Sequence, residues 1–255
     1  MTNELSLLTA LSSAHADYLT HTWNSISAQD VPVGWEVHWY IQEDGPASAA
    51  RSFVDSLNSP FVHYASSNRP GGPAEARNLA LTRAQGDVVM VLDADDTLTP
   101  GAITRTISLL DESNLWCGFA AIDDHNGQLS QRDTGYSRRL GSASSPDPRY
   151  APFVPEDWLG HSERGDIRRC WELCGYLPFH PATFATFARF IWDVGGWPAL
   201  GRDEDTAVIL AISDRHHGHV SHEPNVVYRH HNHQTSRLVP PIDERLAFIE
   251  RRLPR

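Results

Sequence analysis

Three aspartates follow a run of apolar residues in the segment VVMVLDADDTLTP, which spans 88–100. The apolar run is typical of a buried strand, and Asp93, Asp95 and Asp96 come where that strand ends. Carboxylates this close repel one another unless a positive charge lies among them. Mg²⁺ and Mn²⁺ bind a few carboxylates and complete their shells with phosphate oxygens. The segment therefore predicts a divalent metal site, for Mn²⁺ or Mg²⁺, at a strand end.

Two unrelated classes of enzyme place such acids at a strand end, and the motif alone leaves both open. Phosphatases of the haloacid dehalogenase type carry D-x-D-x-T, which would use Asp93 and Asp95. Nucleotide-sugar transferases carry D-x-D, and their metal stabilises the charge that grows on a departing diphosphate. The phosphatase needs a downstream lysine, or rarely an arginine, but this chain has no lysine. A complete strand-helix-strand-helix pattern before Asp93 also favours the transferase.

A second acidic segment, GRDEDTAVIL, carries Asp203, Glu204 and Asp205 at the predicted start of a helix. The helix dipole favours negative charge there. A carboxylate beside a cleft can deprotonate the hydroxyl of an acceptor substrate. An ordinary acidic first helical turn explains the same residues, so the segment alone does not decide between the two interpretations.

Histidines are concentrated near the end of the chain. No carboxylate or thiol pattern joins them at a spacing typical of zinc sites, so a solvated loop is favoured over a zinc centre. A single histidine that assists a diphosphate or a metal fits the pattern better. Seven of the 14 histidines lie in this stretch, namely His216, His217, His219, His222, His230, His231 and His233.

Strand-like and helix-like segments alternate through the first hundred residues. An apolar run at 5–11 and an alternating segment at 35–46, which ends in an acidic turn, read as strands, and 73–87 reads as a helix that opens at Pro73 and closes at Gly86. This alternation predicts an α/β fold with a central, mainly parallel sheet flanked by helices. Ligands bind beyond the carboxyl ends of such strands, where Asp44 and the acids after residue 92 would lie.

The composition of the chain limits the kinds of partner and mechanism that are possible. The net charge of −11 argues against binding to nucleic acid or to an anionic membrane surface, because both depend on a positive field. The absence of lysine excludes a Walker A loop and a Schiff-base lysine. No apolar run of about 18 residues and no basic leader are present, so we expect a cytoplasmic protein without stable membrane insertion.

Four segments, in this order along the chain, resemble family 2 glycosyltransferases of the GT-A fold. The resemblance spans roughly residues 5–236, and the four segments together are far more specific than any one. It implies a Rossmann-like nucleotide-binding domain over 1–236, with a donor half at 1–110 and an acceptor half at 111–236, followed by a helical tail at 237–255. The segments are EDGPAS, NRPGGPAEARNLALTRAQGDVVMVLDADDTLTPGAI, DVGGWPALGRDEDTAVIL and VVYRHHNHQTS.

The resemblance implies a binding site for a nucleotide-sugar donor, UDP- or TDP-linked. Asp44 takes the place of the aspartate that hydrogen-bonds the pyrimidine base, and Arg77 that of the arginine near the same base. Asp93 would approach the ribose and the donor sugar, and Asp95 would ligate the metal. Thr9 is assigned to the same site, although the first strand lacks the family's usual Thr-x-Tyr-Asn-like turn.

The same resemblance implies an inverting transfer to an acceptor hydroxyl. Asp205 takes the place of the catalytic base, and Glu204 supports it. His231, and Arg229 near it, would lie over the diphosphate, with His231 as a metal ligand beside Asp95. A noncatalytic sugar- or nucleotide-binding module that keeps the fold stays open as an alternative, but a pure binder would not need a base.

The acceptor is not named by the sequence. The irregular region 123–166 and the aromatic-rich segment 170–184 are predicted to wall its site, with aromatic rings that can stack on a sugar. Core packing explains those rings equally well; they are Trp171, Tyr176 and Phe179. In the tail, one helix face is apolar and is predicted to pack on the body or on a second copy in a homodimer; it carries Ile242, Leu246, Ile249 and Leu253.

Overall fold

A computed structural model of the chain describes residues 2–47, 49–131, 158–174, 177–200, 203–231 and 242–252. The strands are β1 (Asn3–Leu11), β2 (Trp35–Glu43), β3 (Val62–Ser66), β4 (Val88–Val91), β5 (Thr97–Leu98), β6 (Trp116–His125), β7 (Gln128–Gln131), β8 (Gly160–Ser162), β9 (Ala185–Phe187) and β10 (Gly218–His230). The α-helices are α1 (Leu19–Ser27), α2 (Ala49–Leu57), α3 (Pro73–Leu81), α4 (Ala102–Leu109), α5 (Asp166–Cys174), α6 (Ala188–Asp193), α7 (Glu204–Ser213) and α8 (Ile242–Arg252). Short 3-10 helices cover Ser13–Tyr18 and Pro181–Thr183.

The strands form one sheet in the order β3-β2-β1-β4-β9-β6-β10-β5, with β7 paired to β6 and β8 paired to β10. Among the described residues, β1, β2, β3, β4, β6 and β10 share one direction, and the others run against them. Strand β9 separates the parallel block of the first half from the β6–β10 pair of the second half. The predicted mainly parallel sheet is therefore confirmed, with an antiparallel strand at its centre.

Alternate residues of the central strands enter two separate hydrophobic cores. Leu7 of β1 and Met90 of β4 pack into one core, whereas Leu8 and Val89 pack into the other. This follows from the two-residue period of a strand and from helices that cover both faces. The strands read as continuous apolar runs because both of their faces are buried.

Helix α3 ends earlier than the sequence predicts. It covers Pro73–Leu81, whereas the expected stop was Gly86. Gly86 instead approaches β1, because a Cβ atom at this position would collide with the carbonyl of Glu4. Its amide also donates to the Ser6 hydroxyl at 3.1 Å. The glycine is therefore required by close backbone approach rather than by a helix end.

Helix α8 lies within the predicted tail. Ile249 is buried in the core, and Arg252 donates hydrogen bonds to the carbonyls of Val194 and Gly196. These contacts attach the helix to the body of the protein beside the turn that precedes α7. None of the described helices combines the length and apolar character needed to cross a bilayer.

Candidate active site

The carboxyl ends of β2 and β4 bring two groups of acids to one edge of the sheet. The amide of Asp44 donates to the carbonyl of Leu11 at 2.8 Å, directly beyond β1 and β2. On the other side of β1, the amide of Leu92 donates to Leu8 at 3.0 Å. The chain then leaves the sheet in a turn closed by a 3.1 Å hydrogen bond from the Asp96 amide to the carbonyl of Asp93.

Arg77 of α3 is surrounded by three carboxylates. Its Nη2 donates to Asp93 Oδ1 and its Nη1 to Glu204 Oε1, both at 2.8 Å, and Asp205 Oδ2 lies 3.3 Å from Nη1. We call these four residues the arginine-centred group. Only 4% of the Arg77 side chain is exposed. The guanidinium joins acids from both halves of the chain, and its position near the donor base stays a prediction.

Burial and neighbouring charges together control the protonation of this group. Burial opposes the charge of Arg77, but attraction to Asp205, Asp93 and Glu204 outweighs it and raises the arginine pKa. Burial raises the pKa of Asp205 to about 7; Arg77 opposes the shift, and repulsion from Glu204 and Asp93 adds to it. Burial also raises the pKa of Asp93, and Arg77 again opposes. Three carboxylates around one guanidinium leave an excess of negative charge, which favours the protonated form of a carboxyl group.

Trp197 fixes the orientation of Asp205. Its indole Nε1 donates to Asp205 Oδ1 at 2.7 Å. Asn78 of α3 holds the tryptophan backbone in turn, donating to its carbonyl at 2.8 Å and accepting from its amide at 2.9 Å. Gly196 has a φ of +69°, and a Cβ atom there would overlap Asn78. The glycine before Trp197 is therefore needed for this clamp.

A second group, here called the histidine-centred group, consists of His15, Asp95 and His231. Asp95 Oδ2 lies 2.7 Å from His231 Nε2, and one ligand atom from each of the three residues lies within 4.8 Å of the others. The rings of His15 and His231 meet edge to face at 5.1 Å. One carboxylate and two imidazoles, all mostly buried, fit a divalent cation whose shell is completed by phosphate oxygens.

The end of β10 is attached directly to the acidic turn. The Arg229 amide donates to Asp96 Oδ1 at 3.0 Å. The Arg229 guanidinium lies 4.9 Å from the centre of the Tyr18 ring, and this ring stacks on His231 at 5.2 Å. These contacts bring His231 to Asp95 across 136 residues of sequence.

Asp44 organises the loop that enters α3. Its Oδ1 accepts from the Gly71 amide at 2.6 Å, and its Oδ2 accepts from the Gly72 amide at 3.0 Å. Gly72 adopts a φ of +86°, which favours glycine. The side chain is half-buried at the ligand edge, so it keeps surface toward a ligand while it shapes the loop.

The assignment of Thr9 to the donor site is corrected by the structure. Its side chain is fully buried, its hydroxyl donates to the Leu92 carbonyl at 2.6 Å, and it accepts from the indole of Trp39 at 2.8 Å. No part of the side chain is left for a ligand. Thr9 instead ties β1 to the residue after β4, and so supports the turn that carries Asp93.

The three predicted acceptor aromatics have different environments. Phe179 is 2% exposed and lies beside Trp116, with ring centres 5.9 Å apart, so its predicted role at the acceptor is wrong and it belongs to the core. Trp171 on α5 is partly buried against the same core. Tyr176 lies outside the described residues.

The histidine-rich stretch does not form one site. His216 lies before β10 and packs on Phe190 with ring centres 3.9 Å apart, whereas His230 and His231 lie at the other end of the strand. His233 lies outside the described residues.

Sequence reasoning missed three residues of the site: His15, Asn78 and Trp197. His15 gave a weak signal, since it follows the end of β1 closely and β1 ends at the ligand edge. Trp197 and Asn78 gave none, because their roles depend on contacts between distant segments.

Comparison with known proteins identifies the family of the chain. Residues 11–169 match the family model described as glycosyl transferase family 2, which is well over half of the 255-residue chain. Among curated proteins, the succinoglycan biosynthesis protein ExoO of Rhizobium meliloti is 32% identical over 108 residues, or 42% of this chain and 30% of that protein.

Two solved structures resemble the fold closely. Residues 1–349 of S. aureus TarS, solved with UDP-GlcNAc, give a TM-score of 0.68 at 16% identity, over 97% of this chain and 64% of that one. The mannosyltransferase PcManGT of Pyrobaculum calidifontis was solved with GDP-Man and Mn²⁺. It gives a TM-score of 0.55 at 17% identity, over 90% of this chain and 57% of that one. The chain thus spans less than two thirds of these relatives. The likeness confirms the predicted GT-A fold, and the family match shows that this chain belongs to glycosyl transferase family 2.

Proposed function

We propose that this chain is an inverting, metal-dependent glycosyltransferase that moves a sugar from a nucleoside-diphosphate donor to an acceptor hydroxyl. The observation that carries the proposal is the meeting of two different acidic groups at one sheet edge. One surrounds Arg77 and includes a carboxyl group with a raised pKa; the other pairs Asp95 with two imidazoles. Residues 1–110 supply the acids that follow β4. Residues 111–236 supply the acids at the start of α7 and the histidine that follows β10.

Asp205 is the general base in this proposal. Its side chain is 21% exposed, whereas that of Glu204 is 9% exposed and accepts from Arg77. A base must reach its substrate, so exposure favours Asp205 over its neighbour. A pKa of about 7 suits a group that accepts a proton near neutral pH. Glu204 acts as a positioning residue that holds Arg77.

The histidine-centred group holds the divalent cation, Mn²⁺ or Mg²⁺, in this proposal. Mn²⁺ is the better match of the two, because Mg²⁺ prefers oxygen ligands and two of the three side chains are imidazoles. Asp95 and His231 are the ligands expected from the sequence, and His15 adds a third. When bound, the ion would stabilise the negative charge of the departing nucleoside diphosphate. Arg229 supports this end of the site, because its amide fixes the acidic turn through Asp96.

The nucleotide occupies the edge between Asp44 and Asp93. In this proposal Asp44, which holds the glycine loop, accepts from a base N–H, and Asp93, which pairs with Arg77, approaches the donor sugar. A pyrimidine base is preferred in this proposal, so UDP- and TDP-sugars are the donors to test first. UDP-GlcNAc in the TarS structure and GDP-Man in the mannosyltransferase structure support the diphosphate-sugar class.

Transfer occurs in one displacement. Asp205 removes the proton of the acceptor hydroxyl, the oxygen attacks the anomeric carbon, and the bond to the diphosphate breaks, which inverts the anomer. Charge builds on the anomeric carbon as in other glycosyl transfers, through an oxocarbenium-like transition state.

Calorimetry with UDP, TDP, GDP and ADP, in Mn²⁺ and in EDTA, tests the donor site. We expect metal-dependent binding with preference for UDP or TDP, and its loss in Asp95→Asn. An absence of nucleotide binding under both conditions would contradict the proposal. Release of UDP from UDP-sugars, with a panel of acceptors, then separates an enzyme from a noncatalytic binder. Hydrolysis of a simple phosphomonoester that depends on Asp93 would favour the phosphatase instead.

A further inference from the structure

The ends of β6 and β10 place a second set of potential ligands on the sheet face opposite His231. The two strands are parallel neighbours, with His125 beside His230 and Asp123 beside Tyr228. Residues two apart in a strand point to the same face, so Asp123, His125 and His230 share one face. His231 follows His230 directly and turns the other way, toward Asp95.

The three side chains converge closely. Asp123 Oδ1 lies 2.6 Å from His230 Nε2, and the rings of His125 and His230 stack with centres 4.0 Å apart and an angle of 12°. One ligand atom from each of the three lies within 4.8 Å of the others. Ligands on a tetrahedral ion with bonds near 2 Å lie about 3.3 Å apart, so the three ligand atoms are already close to coordination distance of one another. The exposed ring of His125 must turn out of the stack to direct its lone pair at an ion held by Asp123 and His230.

We propose that Asp123, His125 and His230 bind a Zn²⁺-class ion at a site distinct from the histidine-centred group. Two imidazoles and one carboxylate suit Zn²⁺ or Co²⁺ and leave a fourth position for water. Mg²⁺ prefers oxygen ligands and suits this set poorly. The inference does not depend on the proposed glycosyl transfer.

The surroundings support such a site. His230 is buried, whereas His125 is exposed, so the ion has both a fixed ligand and an entry path. Tyr228 packs edge to face on His230 with ring centres 5.0 Å apart, and His180 lies against Tyr228 at 4.8 Å. Aromatic packing of this kind fixes the ring orientation of a ligand, as partners outside the coordination shell do in metal sites.

The ion would join the β6–β7 hairpin to the end of β10. His125 is the last residue of β6, and His230 is the last residue of β10, one position before His231. Coordination would therefore fix the backbone that carries His231 and Arg229. This gives the site a structural role for the neighbouring donor-metal group, from the other face of the sheet.

Cobalt titration tests the proposal with four proteins: the wild type, Asp95→Asn, His125→Ala and the matched control His222→Ala. His222 is an exposed histidine of the same strand and belongs to neither group of ligands. After removal of metals with EDTA, Co²⁺ is added, binding is followed by its visible absorption, and Zn²⁺ is used as the competitor.

We expect the Asp95→Asn and His222→Ala proteins to keep a site that Zn²⁺ competes for. His125→Ala should weaken this site about 100-fold or more, since loss of an outer partner alone costs 10- to 100-fold. Equal Co²⁺ affinity of the His125→Ala and His222→Ala proteins, each combined with Asp95→Asn so that the histidine-centred group is removed, would overturn the proposal. Loss of the signal in Asp95→Asn, with its retention in His125→Ala, would also overturn it, because the ion would then occupy only the histidine-centred group.

Thermal unfolding gives an independent readout. Zn²⁺ should raise the Tm of the Asp95→Asn protein but not that of the double variant with His125→Ala, since an ion that binds only the native state stabilises it. The Tm values of the same proteins in EDTA show whether the substitutions themselves destabilise the fold. An equal Zn²⁺-induced rise in both proteins would overturn the proposal. Asp123→Asn, which keeps the side-chain shape, should behave as His125→Ala does.

Discussion

The arginine-centred and histidine-centred groups lie at the same sheet edge but neutralise their carboxylates in different ways. In the first, Arg77 contributes a permanent cation to Asp93, Glu204 and Asp205. In the second, the groups described beside Asp95 are the imidazoles of His15 and His231. Arginine stays charged at any physiological pH, whereas neutral imidazoles offer lone pairs.

This difference explains how neighbouring acids take separate roles. The arginine-centred group needs no added ion. Burial, with repulsion from Glu204 and Asp93 adding to it, raises the pKa of Asp205 into the range of a general base. Within the described parts of the chain, the histidine-centred group pairs its carboxylate with imidazoles in place of an arginine, so an external cation can complete it. The predictions below test this difference by substitution of residues in one group or the other, or by a change of pH.

Replacement of Asp205 should have the largest effect on turnover. Asp205→Asn keeps the shape of the side chain but removes the base, so we expect kcat to fall about 10²- to 10⁴-fold with nearly unchanged donor binding. Release of UDP with saturating donor and acceptor measures kcat, and calorimetry measures donor binding. The exposed Asp30→Asn is the matched control. Normal turnover in Asp205→Asn would remove this residue from the mechanism.

Removal of the central cation should have the largest effect on stability. Arg77→Met leaves three carboxylates crowded without their partner, and loss of one member of a buried ion pair costs about 3 to 5 kcal/mol. Urea unfolding measures the free energy of unfolding. The control is Arg51→Met, since Arg51 makes an exposed pair with Asp55 in which both side chains are more than half exposed. Equal losses in the two variants would mean that the buried network contributes little.

Substitution of Asp95 should weaken metal binding and leave the general base, Asp205, unaffected. In Asp95→Asn we expect Mn²⁺-dependent UDP binding to weaken at least about 10- to 100-fold, since the loss of even an outer partner of a ligand has this effect. Binding in EDTA should not change. His15→Ala should cause a loss of the same kind if His15 is a ligand. Unchanged Mn²⁺ dependence in both variants would contradict the metal assignment.

The pH profile should separate the two groups further. Burial raises the pKa of Asp205 to about 7, and the base must be deprotonated, so kcat/KM should rise with pH through that value and then level off. The native state also binds this proton more tightly than the unfolded state does, so the contribution of Asp205 to the free energy of unfolding falls as pH rises from 3.8 to about 7. Absence of this stability difference between the wild type and Asp205→Asn would contradict the raised pKa.

The hydrogen bond from Trp197 should have the smallest effect. It favours the ionised form of Asp205, so Trp197→Phe should raise the pKa of Asp205 further. We expect kcat/KM to fall roughly fivefold at neutral pH and to recover at higher pH. The exposed Trp192→Phe is the control. A loss that is equal at every pH would indicate a packing defect instead.

Local patterns predicted the fold class and the position of most acids. An apolar run that ends in acids marks a buried strand and its ligand edge, and Pro73 marks the start of α3 correctly. These signals depend on residues within a few positions of one another, so they can be read without knowledge of the packing. The end of α3 was misjudged because Gly86 serves a contact with β1 rather than the helix.

Errors came where residue type did not reveal the environment. Thr9 and Phe179 carry groups that can bind ligands, but both are buried and contact only the protein. The pairing of the Arg77 guanidinium with three acids was also not foreseen. Sequence alone cannot distinguish these cases, because burial depends on segments far away in the chain.

The sequence by itself determined a GT-A type α/β sheet, an acidic turn after β4 and an acidic start to α7. Only the tertiary structure decided which charges meet: Arg77 reaches Glu204 across 127 residues, and Asp95 reaches His231 across 136. The physical reason is that strand and helix signals arise from local periodicity. The pKa of Asp205 and the grouping of metal ligands arise instead from burial and from charges that only folding brings together.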